Sequence, residues 1–153
     1  MKELVDLLIK KGWTIASCES LTAGLFASRI AEVPGASNVL VGGIITYATR
    51  IKEEIVHVDD KIIATYGVVS APCAQAMAEN TRDLLKADLC VSFTGNAGPS
   101  CMEDKPAGTI YCAIASPSGV KVYHFQLKGE RNEVRNQVVD AMCEQVILFL
   151  KEE

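Results

Sequence analysis

Apolar residues recur along the chain with two periods, and the alternation between helical and strand spacing outlines the elements. Leu4, Leu7 and Leu8, followed by Lys10, Lys11 and Gly12, predict an amphipathic helix with a glycine stop. Trp13 to Cys18 is short and rich in β-formers, which predicts a strand, and Glu19-Ser20-Leu21-Thr22 forms its exit. From Thr22, the residues Leu25, Phe26, Ile30 and Val33 keep helical spacing until Pro34-Gly35 ends the run. Residues 39–47 read as a strand around Gly42-Gly43, residues 49–56 as a helix, and Asp59-Asp60-Lys61 as the start of a short helix stopping at Gly67. Ser70 suits the N-cap of the next helix, with Pro72 early in it and Cys73, Met77, Leu84 and Leu85 as its apolar stripe.

Asp88 to Thr94 is a compact apolar strand that opens into the small-residue loop Gly95-Asn96-Ala97-Gly98-Pro99-Ser100. Two β-rich runs, 108–116 and 120–127, flank Pro117-Ser118-Gly119 and predict a hairpin. Arg131 to Leu150 closes the pattern as a long helix carrying Val134, Val138, Met142, Val146 and Leu150. Helices alternate with strands and a hairpin follows, so the expected architecture is α/β: a layered α/β/α domain with a mixed central sheet. In such sheets ligands bind where strands end and helices begin.

Composition narrows the class. At 153 residues, a single domain over 1–153 is expected. With 49% hydrophobic and 22% charged residues, the chain is not intrinsically disordered. A chain of this size buries about 70% of its unfolded surface without help from disulfides or metal. The net charge of -4 argues against a general nucleic-acid binder or a polybasic membrane-surface protein, while allowing a local basic site. Six cysteines occur with no C-x-x-C spacing and only two histidines, so buried reduced thiols are expected, and a metal site is not. Cys18 and Cys101 lie near candidate site loops, where oxidation could affect them. The first residues lack a signal-peptide core, and no run approaches the ~18 apolar residues of a membrane span, so the expected location is cytoplasmic.

Three strand-to-helix junctions carry reactive side chains. Glu19-Ser20-Leu21-Thr22-Ala23-Gly24 offers two hydroxyls among small residues, where amides at a helix start attract anions and a serine can be presented to substrate. Helix capping by Ser20 or Thr22 is the competing role. The stretch from Gly42-Gly43 through Thr46, Tyr47 and Lys52 can bring a phenol and an amine to one pocket. Lysine serves as a general base only when desolvation or nearby positive charge lowers its pKa from about 10.4, and a solvated lysine paired with Glu19 or another carboxylate is the alternative. In the third junction, Ser92 to Pro99, glycines let amides face phosphate oxygens and Thr94 adds a hydroxyl, although neither a P-loop nor a G-x-G-x-x-G pattern is present. A tight structural turn competes. Arg131 and Arg135 at the start of the last helix can each clamp a phosphate or carboxylate, or pair with Glu130 or Glu133.

The ordered set Glu19-Ser20-Leu21-Thr22-Ala23-Gly24, Gly42-Gly43 with Thr46-Tyr47 and Lys52, and Val68-Val69-Ser70 continues with Thr94 to Pro99, Lys105-Pro106-Ala107-Gly108-Thr109 and Gly129-Glu130-Arg131. Spanning nearly the whole chain, it resembles the CinA C-terminal domain family, the nicotinamide mononucleotide (NMN) deamidases. The resemblance implies hydrolysis of the NMN carboxamide to nicotinic acid mononucleotide and ammonia, with no metal or other cofactor. It implies Ser20 as nucleophile, Lys52 as its base and Tyr47 as a supporting acid or orienting group. Thr94 matches a substrate-contacting threonine, and Arg131 or Arg135 matches the remaining polar contact. Thr22, Gly24, Gly43, Thr46, Gly95, Ala97 and Gly98 are the accompanying substrate-binding candidates. A Ser–Lys pair of this kind is a recognised variant of the serine triad, with amides near Leu21 and Thr22 as candidate oxyanion donors.

The family resemblance also implies a homo-oligomer, such as a dimer, and a stand-alone form of a domain that often follows a separate N-terminal one. The chain departs from the common family pattern at Leu21, Ala23, Asn96 and Glu130 and in Ser100-Cys101-Met102-Glu103, where a glycine-rich run is usual. Glu103-Asp104 would repel a phosphate placed close by. Two alternatives follow: a non-catalytic nucleotide-binding or regulatory domain of the same fold, and a serine amidase acting on another small amide.

Overall fold

The computed structural model describes residues 1–153. In chain order the elements are α1 (Lys2–Lys11), β1 (Ile15–Glu19), α2 (Leu25–Ala31), a 3-10 turn (Ala36–Asn38), β2 (Leu40–Ile45), α3 (Thr49–Glu54) and α4 (Asp60–Tyr66). There follow α5 (Ala71–Leu85), β3 (Leu89–Gly95), β4 (Thr109–Ser116), β5 (Gly119–Gln126) and α6 (Arg131–Glu152). Each expected helix and strand is present. The start of α2 differs: it begins at Leu25 rather than Thr22, because Ala23 (φ 47°) and Gly24 (φ 94°) are left-handed and turn the chain before a helix can propagate. β2 ends at Ile45, two residues before the expected Tyr47.

The five strands form one sheet in the order β2-β1-β3-β4-β5. β1 runs parallel to both β2 and β3, whereas β3–β4 and β4–β5 are antiparallel, so the sheet is mixed. All five residues of β1 are buried, as expected of a central parallel strand covered on both faces. On one face, Leu4 and Leu8 of α1, Phe26 and Ile30 of α2 and Val138 and Met142 of α6 pack over Ile15, Leu89 and Val91. On the other, Cys73 and Met77 of α5 pack over Ala16, Cys18 and Cys90 with Val56, Val58, Val68 and Val69. Burial of each large apolar side chain contributes on the order of 1.5–3 kcal/mol relative to exposure. The Phe26 and Phe93 rings, 5.2 Å apart and tilted by 48°, join α2 to β3 just below the site.

Local capping follows the sequence signals. The Ser70 hydroxyl accepts from Cys73 N–H at 3.3 Å, the Asp59 carboxylate accepts from Lys61 N–H at 2.9 Å, and Glu130 with Glu133 forms a capping box at the start of α6. Five cysteines are buried and Cys101 is exposed. No helix is long and apolar enough to cross a membrane. Because β1, β2 and β3 are mutually parallel, their carboxyl ends lie at one edge of the sheet. The three junctions that follow them meet there.

Candidate active site

Ser20 is the first residue beyond β1, and its N–H donates to the Phe93 carbonyl of β3 at 2.9 Å. The turn it begins is tied down by Glu19, whose carboxylate accepts from the N–H groups of Phe26 (2.9 Å) and Ala27 (3.2 Å) and from the Ser17 hydroxyl (2.8 Å). Glu19 thereby caps α2 from the preceding strand, a task expected of Ser20 or Thr22. The Ser20 hydroxyl is consequently free for Lys52.

Lys52 projects from α3 into the interior and is only 1% exposed. Its Nζ lies 3.0 Å from Ser20 Oγ and donates to the Thr46 carbonyl at 2.6 Å. No carboxylate forms an ion pair with it, so the alternative of a solvated or Glu19-paired lysine is overturned. Burial lowers its pKa below the ordinary 10.5, with the Cys73 and Cys18 thiols and the Glu103 carboxylate pulling the other way. A neutral amine at this distance can accept the serine proton. Cys18, pushed up to about 11, and Cys73, pushed up to about 12, are held as thiols mainly by their own burial.

Ser20 opens onto a cavity of about 150 Å³, lined by Tyr47, Arg131 and residues of the 95–102 loop. A second cavity of about 450 Å³, lined by Pro99, Ala107 and Glu130, shares Ala97, Gly98 and Arg131 with the first. Arg131 sits between the two, donating to the Gly98 carbonyl at 2.8 Å and to the Tyr47 hydroxyl at 2.7 Å.

Residues 1–150 match the profile described as the CinA C-terminal domain. The chain belongs to the CinA C-terminal domain family. It is 44% identical over 143 residues to a competence-damage inducible protein of Geobacillus sp., covering 93% of this chain and 34% of that one. To one from Oceanobacillus iheyensis it is 42% identical over 152 residues, covering 99% and 36%. The chain therefore spans about a third of the length of these curated relatives. Among solved structures, the competence-damaged protein (CinA) superfamily protein of Klebsiella pneumoniae superposes with a TM-score of 0.97 at 25% identity, covering 99% of this chain and 96% of that one. The competence/damage inducible protein of Agrobacterium tumefaciens superposes with a TM-score of 0.90 at 29% identity, covering 98% and 94%.

Within this CinA domain, the candidate residues divide into three groups. Ser20, Tyr47, Gly95, Ala97, Gly98 and Arg131 line the first cavity, with Lys52 directly beneath Ser20. Thr46, Thr94 and Arg135 turn inward instead. Thr46 supplies its carbonyl to Lys52, the buried Thr94 hydroxyl donates to the Val68 carbonyl at 2.7 Å, and Arg135 donates to the carbonyls of Leu21 and Thr22. Gly24, Gly43 and Thr22 shape the turn and the sheet beside it. Gly24 supplies a left-handed angle, Gly43 leaves room for the Ser17 hydroxyl, and the buried Thr22 hydroxyl has no hydrogen-bond partner.

Further residues complete the walls. Leu21, Ser100 and Met102 line the cavity, as does Asn96. The Asn96 amide braces its own loop by donating to the Met102 and Lys105 carbonyls at 3.2 and 3.1 Å and accepting from Met102 N–H at 3.1 Å. An asparagine directly after a strand, in a loop with no other amide side chain, was the available signal. Glu103 turns away to accept from the N–H groups of Val68 (2.7 Å) and Val69 (3.0 Å), with Lys105 at 3.3 Å. Burial raises its pKa, but these amides and Lys105 outweigh it and the net shift is downward from 4.5.

Proposed function

We propose that this CinA domain hydrolyses the carboxamide of NMN, releasing ammonia and nicotinic acid mononucleotide through an acyl-serine intermediate. The observation that carries the reading is the 3.0 Å contact between Ser20 Oγ and a buried lysine amine whose pKa is lowered by desolvation. An amide is a poor electrophile with a poor leaving group, so its hydrolysis needs an activated nucleophile, oxyanion donors and a proton for the departing nitrogen.

The geometry supports each requirement. Ser20 Oγ attacks the carboxamide carbon while its proton passes to neutral Lys52, and the oxyanion forms beside the Ser20 turn. The N–H groups of Leu21 and Thr22 have no acceptor within the chain. Collapse breaks the C–N bond as the leaving nitrogen takes a proton from Lys52, or from Tyr47 that Lys52 then reprotonates, so that Lys52 is neutral again. Water then adds to the nicotinoyl ester, giving its proton to Lys52, and the carboxylate leaves as Ser20 is restored. A small cavity at Ser20 joined to a larger one across Arg131 suits a ligand with a small reacting ring and a bulkier polar remainder.

The direct test is ammonia release from NMN by wild type, Ser20→Ala and Lys52→Ala. Each substitution should lower turnover by orders of magnitude while the melting transition persists. Near-wild-type turnover by Ser20→Ala would overturn the nucleophile. Stabilisation by NMN without turnover would make the domain a binding module, and hydrolysis of a different nicotinamide compound alone would reassign the substrate.

A further inference from the structure

Two consecutive carbonyls of the Ser20 turn are held by one side chain reaching across the domain. Arg135, one turn into α6, donates from Nε to the Leu21 carbonyl at 2.8 Å and from Nη2 to the Thr22 carbonyl at 3.0 Å. Its remaining arm reaches Asn132 Oδ1 at 3.1 Å. The guanidinium is thus spent inside the chain, and unlike Arg131 it does not line the cavity at Ser20.

The consequence lies in the peptide planes. A trans peptide is planar with its N–H opposite its C=O, so holding the Leu21 carbonyl fixes the direction of the Thr22 N–H. The preceding plane is held likewise, since the Ser20 carbonyl accepts from Ala23 N–H at 3.0 Å and so fixes the Leu21 N–H. Both amides lack an acceptor within the chain. A cation on the Leu21 carbonyl also polarises that peptide, which strengthens its N–H as a donor.

We infer that Arg135 is a positioning residue: from outside the cavity it pins the Leu21–Thr22 peptide, and with it the turn whose Leu21 N–H, on the cavity wall, is aimed at the oxyanion formed when Ser20 attacks. The inference rests on the acyl-transfer reading above but not on the identity of the amide. Preorganised donors of this kind act on the transition state rather than on bound substrate. Arg135 therefore governs kcat, whereas an arginine touching substrate governs KM as well.

The test compares Arg135→Lys and Arg135→Ala with wild type on NMN and, independently, on p-nitrophenyl acetate. In the second reaction Ser20 Oγ takes the acetyl group, its proton goes to Lys52 and p-nitrophenolate leaves. The adduct is located on the Ser20 peptide by mass. Expected for both variants is a kcat about 10- to 100-fold lower, below or at the loss seen when a direct oxyanion donor is removed, with KM within about twofold. Acylation by the ester slows in parallel, and added guanidinium ion restores part of the rate of Arg135→Ala. A KM that rises at unchanged kcat makes Arg135 a substrate contact and overturns the inference. Unslowed acylation in either folded variant also overturns it, as does a rate loss that merely follows the melting temperature and is not rescued by guanidinium. Should wild type acylate Ser20 but release no ammonia from NMN, slowed acylation in the variants upholds Arg135 while the NMN reading falls. Absence of Ser20 acylation in wild type overturns both.

Discussion

The guanidinium of Arg131 donates to the hydroxyl oxygen of Tyr47 at 2.7 Å, joining the start of α6 to the segment after β2 across the cavity that holds Ser20. Tyr47 is 56% exposed, so this contact, with the Arg131 bond to the Gly98 carbonyl, is what orients the phenol. Arginine only donates, which leaves the phenolic hydrogen available to an acceptor in the cavity such as a departing amine. Tyr47→Phe and Arg131→Ala should each lower kcat/KM about tenfold or more. Because either change undoes the same arrangement, the double variant should lose little beyond the worse single one, with a coupling of roughly 0.5–3 kcal/mol. Losses that multiply would show that the two side chains act separately.

Lys52 makes both rate and stability depend on pH with a defined sign. As a base it must be neutral, so kcat/KM should rise with pH and level off below 10.5, because burial lowers its pKa from that value. For stability, the unfolded chain holds the Lys52 proton up to about pH 10.4 while the native state has already released it. Stability therefore gains as pH rises through that window, and the burden of burying the amine is greatest below the lowered pKa. Urea unfolding of wild type and Lys52→Met at neutral and alkaline pH should show the difference moving in favour of wild type as pH increases. A pH-independent difference would mean that Lys52 titrates normally.

The periodicity of the chain made the layers and element order legible because each helix and strand buries a face with its own spacing. The meeting of Ser20, Tyr47 and the 95–98 loop followed from parallel strands whose ends share an edge. Sequence did not separate Arg131 from Arg135. Four residues apart, they share one helix face, and only the tertiary distance decides that the first reaches Tyr47 and the second the Leu21 carbonyl. Lys52 was equally ambiguous, since a charged residue in TRIKEE is normally solvated and its burial depends on α3 setting it against Ser20 and Thr46, just beyond the ends of β1 and β2. The role of Glu19 escaped because a strand residue capped a helix six residues later, in place of a local hydroxyl.

Ala23 holds a φ of 47° in the turn after Ser20, on an exposed position where its methyl group has little to gain. Left-handed backbone costs an L-residue roughly 1–2 kcal/mol, part of which glycine's larger unfolded-state entropy, about 0.5–1 kcal/mol, takes back. Ala23→Gly should therefore stabilise the domain by up to about 1 kcal/mol, read as a higher melting temperature, with turnover within about twofold of wild type. A lower melting temperature would show that the turn is not strained at this residue.

Gly43 tests whether a small residue beside the site serves the ligand or the fold. It lies in β2 away from the cavity, and a Cβ there would stand 2.6 Å from the Ser17 hydroxyl, with the Ser17 carbonyl at 3.4 Å. That hydroxyl donates to Glu19 at 2.8 Å, and Glu19 in turn holds the first amides of α2. Gly43→Ala should thus cost about 1–3 kcal/mol of stability through overpacking and, by displacing Ser17 from Glu19, loosen the turn that carries Ser20. Removing the obstructing oxygen with Ser17→Ala leaves room for the new methyl group, so the double variant should be more stable than the sum of the two singles predicts. Through this route kcat falls while KM changes little, because no ligand contact is lost. If Gly43→Ala instead raises KM in a protein of unchanged melting temperature, and Ser17→Ala brings no recovery, then Gly43 is a substrate contact.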